Sequence, residues 1–258
     1  MRIFIMKKGT LIKAAVFALL IVGAVLYTNY FIQDSSDVFS EKATQQMPVC
    51  SVKTDVKEIA LTIDTAFGND KTEALLDILD EYNVKATFFV VGLWAEENPD
   101  LLNEIIKAGH EVQNHSMTHE RYPDLQVADV LADAQAARTL LDEATGKKAN
   151  ILRLPFGAFD DKTVKILNDN GFIPLKWSVD GEDWKTEDVK EVYNNVIKKT
   201  KGGDIIMLQN NTVGAEGALR DVITKLLDKG YEFKAISDLL PEGELAVDEK
   251  GRAYAFEE

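Results

Sequence analysis

The chain is poor in the residues that most often carry redox, metal and nucleic-acid chemistry. It has one cysteine, Cys50, which excludes an internal disulfide and a cysteine zinc cage and leaves a lone thiol in a linker or strand. Such scarcity fits the cytosol or a bacterial exterior that does without disulfides. Positive charge is in deficit: 29 Lys and Arg against 43 Asp and Glu give a net charge of −14 over 258 residues. A surface this acidic does not neutralise phosphates, so no nucleic-acid partner is expected, nor adhesion of the main body to anionic lipid. No glycine-rich fingerprint follows the first strand, which argues against a dinucleotide fold. Histidine is as scarce as charge is lopsided: there are three, and all lie between positions 110 and 119.

What is present begins with a basic, apolar N-terminus. Arg2, Lys7, Lys8 and Lys13 precede an uncharged run over 14–32, near the length of a membrane-spanning helix. Tyr27, Tyr30 and Phe31 stand at its far end like an interfacial aromatic belt, and Asp34 and Asp37 follow. The expected arrangement is a single-pass anchor in a bacterial cell membrane, N-terminus inside and the bulk outside. The alternative is a cleaved signal peptide and a secreted product, with 22–24 (Val-Gly-Ala) as a weak cleavage candidate. The apolar run continues past that point and favours the anchor. Residues 33–56 read as a linker, and 241–258 as a short acidic tail with a turn at 248–251.

Between them, 57–240 alternates strands and helices. Strands are expected over 58–63, 85–91, 111–112, 151–154, 173–179, 204–208 and 233–236. Helices are expected over 70–82, 99–108, 127–143, 161–168, 187–199 and 216–228. Near-continuous apolar strands alternating with amphipathic helices mean a parallel sheet covered on both faces. About seven such units suit a closed or nearly closed barrel, with a doubly wound open sheet as the alternative. In a parallel barrel, functional groups collect at the carboxyl ends of the strands.

That is where the unusual polar residues fall. Asp64 directly follows the first apolar strand, placed either at the barrel mouth or as a loop or capping residue. His115 and His119 are four residues apart. Two neutral imidazoles suit Zn, Ni, Co or Fe if the backbone turns between them; otherwise they are loop histidines. His110, just after the helix-ending Gly109, reads as structural. Arg153 projects from a strand end with Pro155 and Phe156 beyond it, a planar fork suited to a carboxylate beside an apolar wall. Asp180, Glu182 and Asp183 lie between Trp177 and Trp184, whose faces suit the apolar faces of sugar rings. Gln209, Asn210 and Asn211 close the sixth strand; amides can bind a polar ligand but have no pKa suited to general acid work.

In this order and spacing, these five stretches resemble the polysaccharide deacetylases, the NodB-homology family of carbohydrate esterases (family four). Their motifs run roughly T-F-D-D, H-S/T-x-x-H, R-x-P-F/Y, D-x-x-D-W and L-x-H. The resemblance covers 57–240 and has the flavour of bacterial cell-wall or sporulation members. It implies an α/β fold, a distorted, incomplete (β/α) barrel of about seven strands, here preceded by the N-terminal transmembrane helix. It further implies that Asp64 is the general base, His115 and His119 the metal ligands, and Arg153 the residue orienting the base. Pro155, Phe156 and Trp184 would be groove walls, and Asp183 the acid that tunes the motif-five histidine. The implied cofactor is a divalent metal, Zn first, with Co, Ni or Mn as alternatives. The implied partner is an N-acetylated, peptidoglycan-like glycan, from which acetate is released.

Two positions depart from the pattern. Thr65 stands where the family has its third metal ligand, leaving Asp64, and after it Asp70, as candidates for that place. Gln209 stands in place of the motif-five histidine at the substrate site, and no other histidine is available to supply the proton. The expected function is a metal-dependent N-deacetylase of cell-wall glycan; the alternative is an impaired homologue that binds glycan without efficient turnover.

Overall fold

The computed structural model describes residues 46–68 and 71–256, together with the single residue Val22. The described residues from 46 onward belong to one compact unit. Apart from Val22, the segment 14–32 on which the membrane anchor rests lies outside the described residues, as does Asp70. Among the described residues, no helix is long and apolar enough to cross a membrane.

In chain order the strands are β1 (Ser51–Val52), β2 (Glu58–Thr65), β3 (Thr87–Val90), β4 (Glu111–Asn114), β5 (Ile151–Arg153) and β6 (Ile173–Leu175). They continue as β7 (Val179–Asp180), β8 (Ile205–Gln209), β9 (Glu232–Lys234), β10 (Leu245–Val247) and β11 (Arg252–Ala255). Seven of them form a parallel sheet in the order β6-β5-β4-β3-β2-β8-β7. The eighth, β9, pairs with the N-terminal half of β2. Helices Thr72–Glu81, Pro99–Lys107, Val127–Thr145 and Asp161–Asp169 connect successive strands from β2 to β6, and Val189–Lys199 and Val213–Asp228 follow β7 and β8. A short helix, Gly92–Glu97, occupies a stretch to which the sequence reading gave no element. Ile236, expected to end a strand, instead begins the helix Ile236–Leu239.

The expected strand over 173–179 is two strands on opposite edges of the sheet. β6 pairs with β5, and β7 pairs with β8. Only residues 176–178 join them, so the two edges are four residue steps apart, at most about 14 Å. Six strand spacings in a flat sheet would put them about 29 Å apart. The sheet therefore has to curl into a nearly closed barrel.

The remaining gap is stitched by the segment expected to be linker. Val49 N donates to Pro174 O, Lys176 N donates to Val49 O, and Val52 N donates to Gly203 O. Gly203 has φ 80°, and a Cβ there would lie 1.9 Å from Val52 O, so only glycine admits the crossing. β1 then pairs with β11, which forms an antiparallel hairpin with β10. The C-terminal segment read as a tail is thus structured, and Ala253 is fully buried beside Val49 and Val52.

Strand alternation sorts the side chains. On β2, Ile59, Leu61 and Ile63 pack outward with helix residues such as Leu75, Leu79, Leu219 and Val222. Ala60 packs inward with Phe89, Ile205 and Leu175. Thr62 and Asp64 share that inward parity. Register carries it sideways, since Asp64 aligns with Phe89 on one side and Gln209 on the other. Thr65 aligns with Val90, which belongs to the outward cluster.

Candidate active site at the barrel mouth

A pocket of about 370 Å³ opens at the carboxyl ends of the strands. Asp64, His115, His119, Phe156, Trp184 and Gln209 line it, together with Phe67, Trp177, Met207, Asn210 and Asn211. Residues from all five expected stretches thus converge there, and Arg153, from the same stretch as Phe156, lies directly behind Asp64.

Arg153 is fully buried inside the barrel. One terminal nitrogen donates to Asp64 Oδ1 at 2.8 Å and the other to Thr62 Oγ1 at 2.7 Å. The rings of Phe89 and Trp177 flank the guanidinium, at 4.4 and 5.2 Å. This cage fixes the Asp64 carboxylate and leaves Oδ2 facing His115. Burial pushes the Asp64 carboxyl above the usual carboxylate range, against the pull of Arg153 and His119. A carboxylate made more basic while held in one orientation is suited to accept a proton from water.

His115 follows the last residue of β4. Its Nδ1 lies 2.9 Å from Arg153 O. A carbonyl oxygen can only accept, so Nδ1 carries the hydrogen and Nε2 presents its lone pair. Burial lowers the ring's pKa to about 3, which keeps it neutral. Nε2 then faces Asp64 Oδ2 at 3.7 Å, two acceptors with no proton between them. The chain turns back through left-handed Ser116 (φ 71°) and His119 (φ 59°). Asn114 Oδ1 accepts from Ser116 N, and Ser116 Oγ accepts from His119 N. The turn brings the two imidazoles to 4.7 Å between ring centres. Burial also lowers His119 to about 4, and its Nδ1 is buried without a partner.

His115 Nε2 and Asp64 Oδ2 facing each other, with the neutral His119 ring beside them, are a donor set suited to a cation. The fit is partial. Among the described residues no group of three or more His, Cys, Asp or Glu is arranged to hold a metal ion. Thr65 supplies no third donor: it is fully buried with outward parity and does not line the pocket.

The pocket walls are aromatic. Pro155 fixes the start of a tight turn and is itself buried outside the lining, so it shapes the wall rather than forming it. The turn holds Phe156 at φ 58° with 64% of its surface exposed, its ring 4.6 Å from His119. Phe67 also meets His119, edge-on at 5.1 Å. Its loop is tied down where Trp94 Nε1 and Asn210 Nδ2 both donate to Gly68 O. Trp184 is about half exposed.

Asp183 does not reach the pocket. It is buried behind Gln209, where its Oδ2 accepts from Gln209 N at 2.9 Å and Thr212 Oγ1 at 2.6 Å. Burial raises its carboxyl to about 6. From there Asp183 cannot stand in for the missing proton donor; the carboxyl instead fixes the end of β8. His110 is structural, as expected: its Nδ1 accepts from Ala86 N, and burial lowers it to about 4. Phe67 and Met207 were missed by motif reading. Met207 was recoverable, because it lies two residues before Gln209 on the same strand face.

Comparison with known proteins agrees with this geometry. The polysaccharide deacetylase family model matches residues 51–174. The peptidoglycan-N-acetylglucosamine deacetylase of Bacillus cereus is 32% identical over 199 residues, 73% of this chain and 91% of that protein. The peptidoglycan-N-acetylmuramic acid deacetylase PdaA of Bacillus subtilis is 35% identical, covering 75% of each. Among solved structures, a CE4 family pseudoenzyme from Bacillus anthracis superposes with a TM-score of 0.72 at 34% identity, over 76% of this chain and 70% of that one. A mutant of that pseudoenzyme is described as having restored enzymatic activity. With its curled parallel sheet and a mouth built from the family's five motif positions, this chain belongs to the polysaccharide deacetylases, hydrolases of non-peptide carbon–nitrogen bonds.

Proposed function

We propose that the protein acts on N-acetylated glycan of the peptidoglycan type, hydrolysing the N-acetyl amide at the barrel mouth and releasing acetate. The observation that carries this reading is the buried Thr62–Arg153–Asp64 arrangement facing His115. Asp64 takes the proton of the attacking water, and Arg153 keeps the carboxylate aimed. Phe67, Phe156 and Trp184 offer ring faces to the sugar. His115 and His119 would hold a divalent ion (Zn, or Co, Ni or Mn), which when bound supplies positive charge to polarise the amide carbonyl. Gln209 can hydrogen-bond the substrate but cannot protonate the leaving amine. Loss of such acid help typically slows a reaction ~10²–10⁴-fold, so turnover is slow. The basic flank and apolar run at 14–32 support a single-pass membrane location with this domain outside, and the secreted form remains the alternative.

A second reading, glycan binding without turnover, draws on Thr65 turned away from the pocket and on Gln209. Acetate release from N-acetylated peptidoglycan fragments, measured on the purified full-length protein with Zn, Co, Ni and Mn, separates the two. Release that needs both metal and Asp64 supports hydrolysis. Silence with all four metals, with glycan binding that survives Asp64→Asn, supports the second reading.

A further inference from the structure

Both imidazoles of the mouth depend on the loop that joins them, and that loop is held from outside the barrel. Asp133 lies in the second turn of the helix Val127–Thr145, 14 positions beyond His119 and outside all five motif stretches. Its Oδ2 accepts from Met117 N at 2.9 Å and from Tyr122 Oη at 2.9 Å. Its Oδ1 accepts from Thr118 N at 3.1 Å and from Thr118 Oγ1 at 2.7 Å. One carboxylate thus receives four hydrogen bonds from residues 117–122, none of them from an imidazole.

The need for such an anchor follows from the turn itself. His115 is fixed by Arg153 O at the end of β4. To bring His119 back against it, the chain passes through two left-handed non-glycine residues, Ser116 and His119. Each such residue costs on the order of 1–2 kcal/mol. The turn also points the amides of Met117 and Thr118 away from any strand partner, and amides without acceptors would favour a different loop. Asp133 accepts from both. The same helix ties down the strand end, since Asn114 Nδ2 donates to Ala134 O.

We infer that Asp133 is a positioning residue for the His115–His119 pair, clamping residues 117–122 so that the second imidazole faces the first. The inference rests on the proposed role of those imidazoles for its consequence, but not for its geometry. The helix Val127–Thr145 thereby becomes part of the site's support.

Asp133→Asn is the informative change, because it keeps size and shape. An amide must turn its NH2 group toward either Met117 N–H or Thr118 N–H, so one donor faces another in both orientations. The chain has three histidines, so the ring signals of full-length, histidine-labelled protein can be resolved by NMR. In Asp133→Asn, the His119 ring signals are expected to shift or broaden and the His115–His119 cross-peak to be lost, while His110 stays unchanged. In a parallel zinc titration, affinity is expected to fall roughly 10–100-fold, as for loss of other groups that orient metal ligands. Unchanged His119 signals and an intact cross-peak, alongside a lowered melting temperature, would reduce Asp133 to a structural residue and overturn the inference. A wild type that binds no zinc, together with a variant that loses the cross-peak, supports the positioning role while sinking the metal reading. If Asp133→Asn does not fold, Thr118→Val removes only the hydroxyl donor. It should displace the same His119 signals by less, and no displacement counts against the inference.

Discussion

Replacing Asp183 by asparagine should stabilise the protein in alkaline solution and do so less as the pH falls. Burial raises the Asp183 carboxyl from 3.8 to about 6, against hydrogen bonds from Thr212 and Gln209 that pull it down. Two pKa units correspond to about 3 kcal/mol. The sign follows from proton counts. Between about pH 4 and 6 the folded carboxyl holds a proton that the unfolded chain has released, so the wild type loses stability as pH rises through that window. Above pH 6 the penalty of the buried charge is complete. An asparagine oxygen can still accept from Gln209 N and Thr212 Oγ1. Its NH2 takes the place of Oδ1, which is buried without a partner, and an unsatisfied donor there costs about 1–2 kcal/mol. The expected net gain at pH 8 is therefore about 1–2 kcal/mol, or roughly 2–8 °C in Tm for a chain of this size. At pH 4 the gain should vanish or reverse. Thermal unfolding of both full-length proteins at pH 8, 6 and 4 measures the difference. His110, His115 and His119, lowered by burial to about 4, 3 and 4, weaken both proteins as pH falls below about 6.5 and cancel in the comparison. A variant destabilised equally at all three pH values would refute the claim that Asp183 is a costly buried charge.

Gln209→His returns a titratable group to the pocket wall beside the buried Asp183 carboxylate. Acetate release should rise about 10²–10³-fold; no gain, in a variant that folds normally, would mean the metal site is deficient as well. Phe156→Gly relieves a left-handed non-glycine residue and should raise stability by about 1 kcal/mol. The same change removes an exposed ring from the pocket and should weaken binding of N-acetylated glycan oligomers; titration calorimetry with affinity unchanged would exclude Phe156 as a sugar contact.

The strand–helix rhythm was legible because it is local. Apolar strands and amphipathic helices announce themselves within a dozen residues, and the polar residues at strand ends stood out against them. The break between β6 and β7 was not legible. Residues 173–179 keep an apolar residue at every second position, and nothing local says that 173–175 pairs with β5 while 179–180 pairs with β8. The C-terminal hairpin escaped for the same reason, since its partner β1 lies about two hundred residues earlier. Asp133 looks in sequence like any acid on a helix, because its four donors sit 11–16 positions upstream in an irregular loop.

The sequence by itself determined which chemical groups the mouth can contain: one base candidate, two neighbouring imidazoles, one arginine, and neither a third ligand at Thr65 nor a histidine at Gln209. Those are facts of composition and order, and no folding can change them. Tertiary structure decided what each group can reach. Strand parity turns Asp64 inward and Thr65 outward, the curl of the sheet buries Arg153 between two aromatic rings behind the base, and the end of β8 sets Asp183 behind the wall instead of in it. The physical reason is that burial, pKa and reach depend on neighbours far away in sequence, which only the closed barrel brings together.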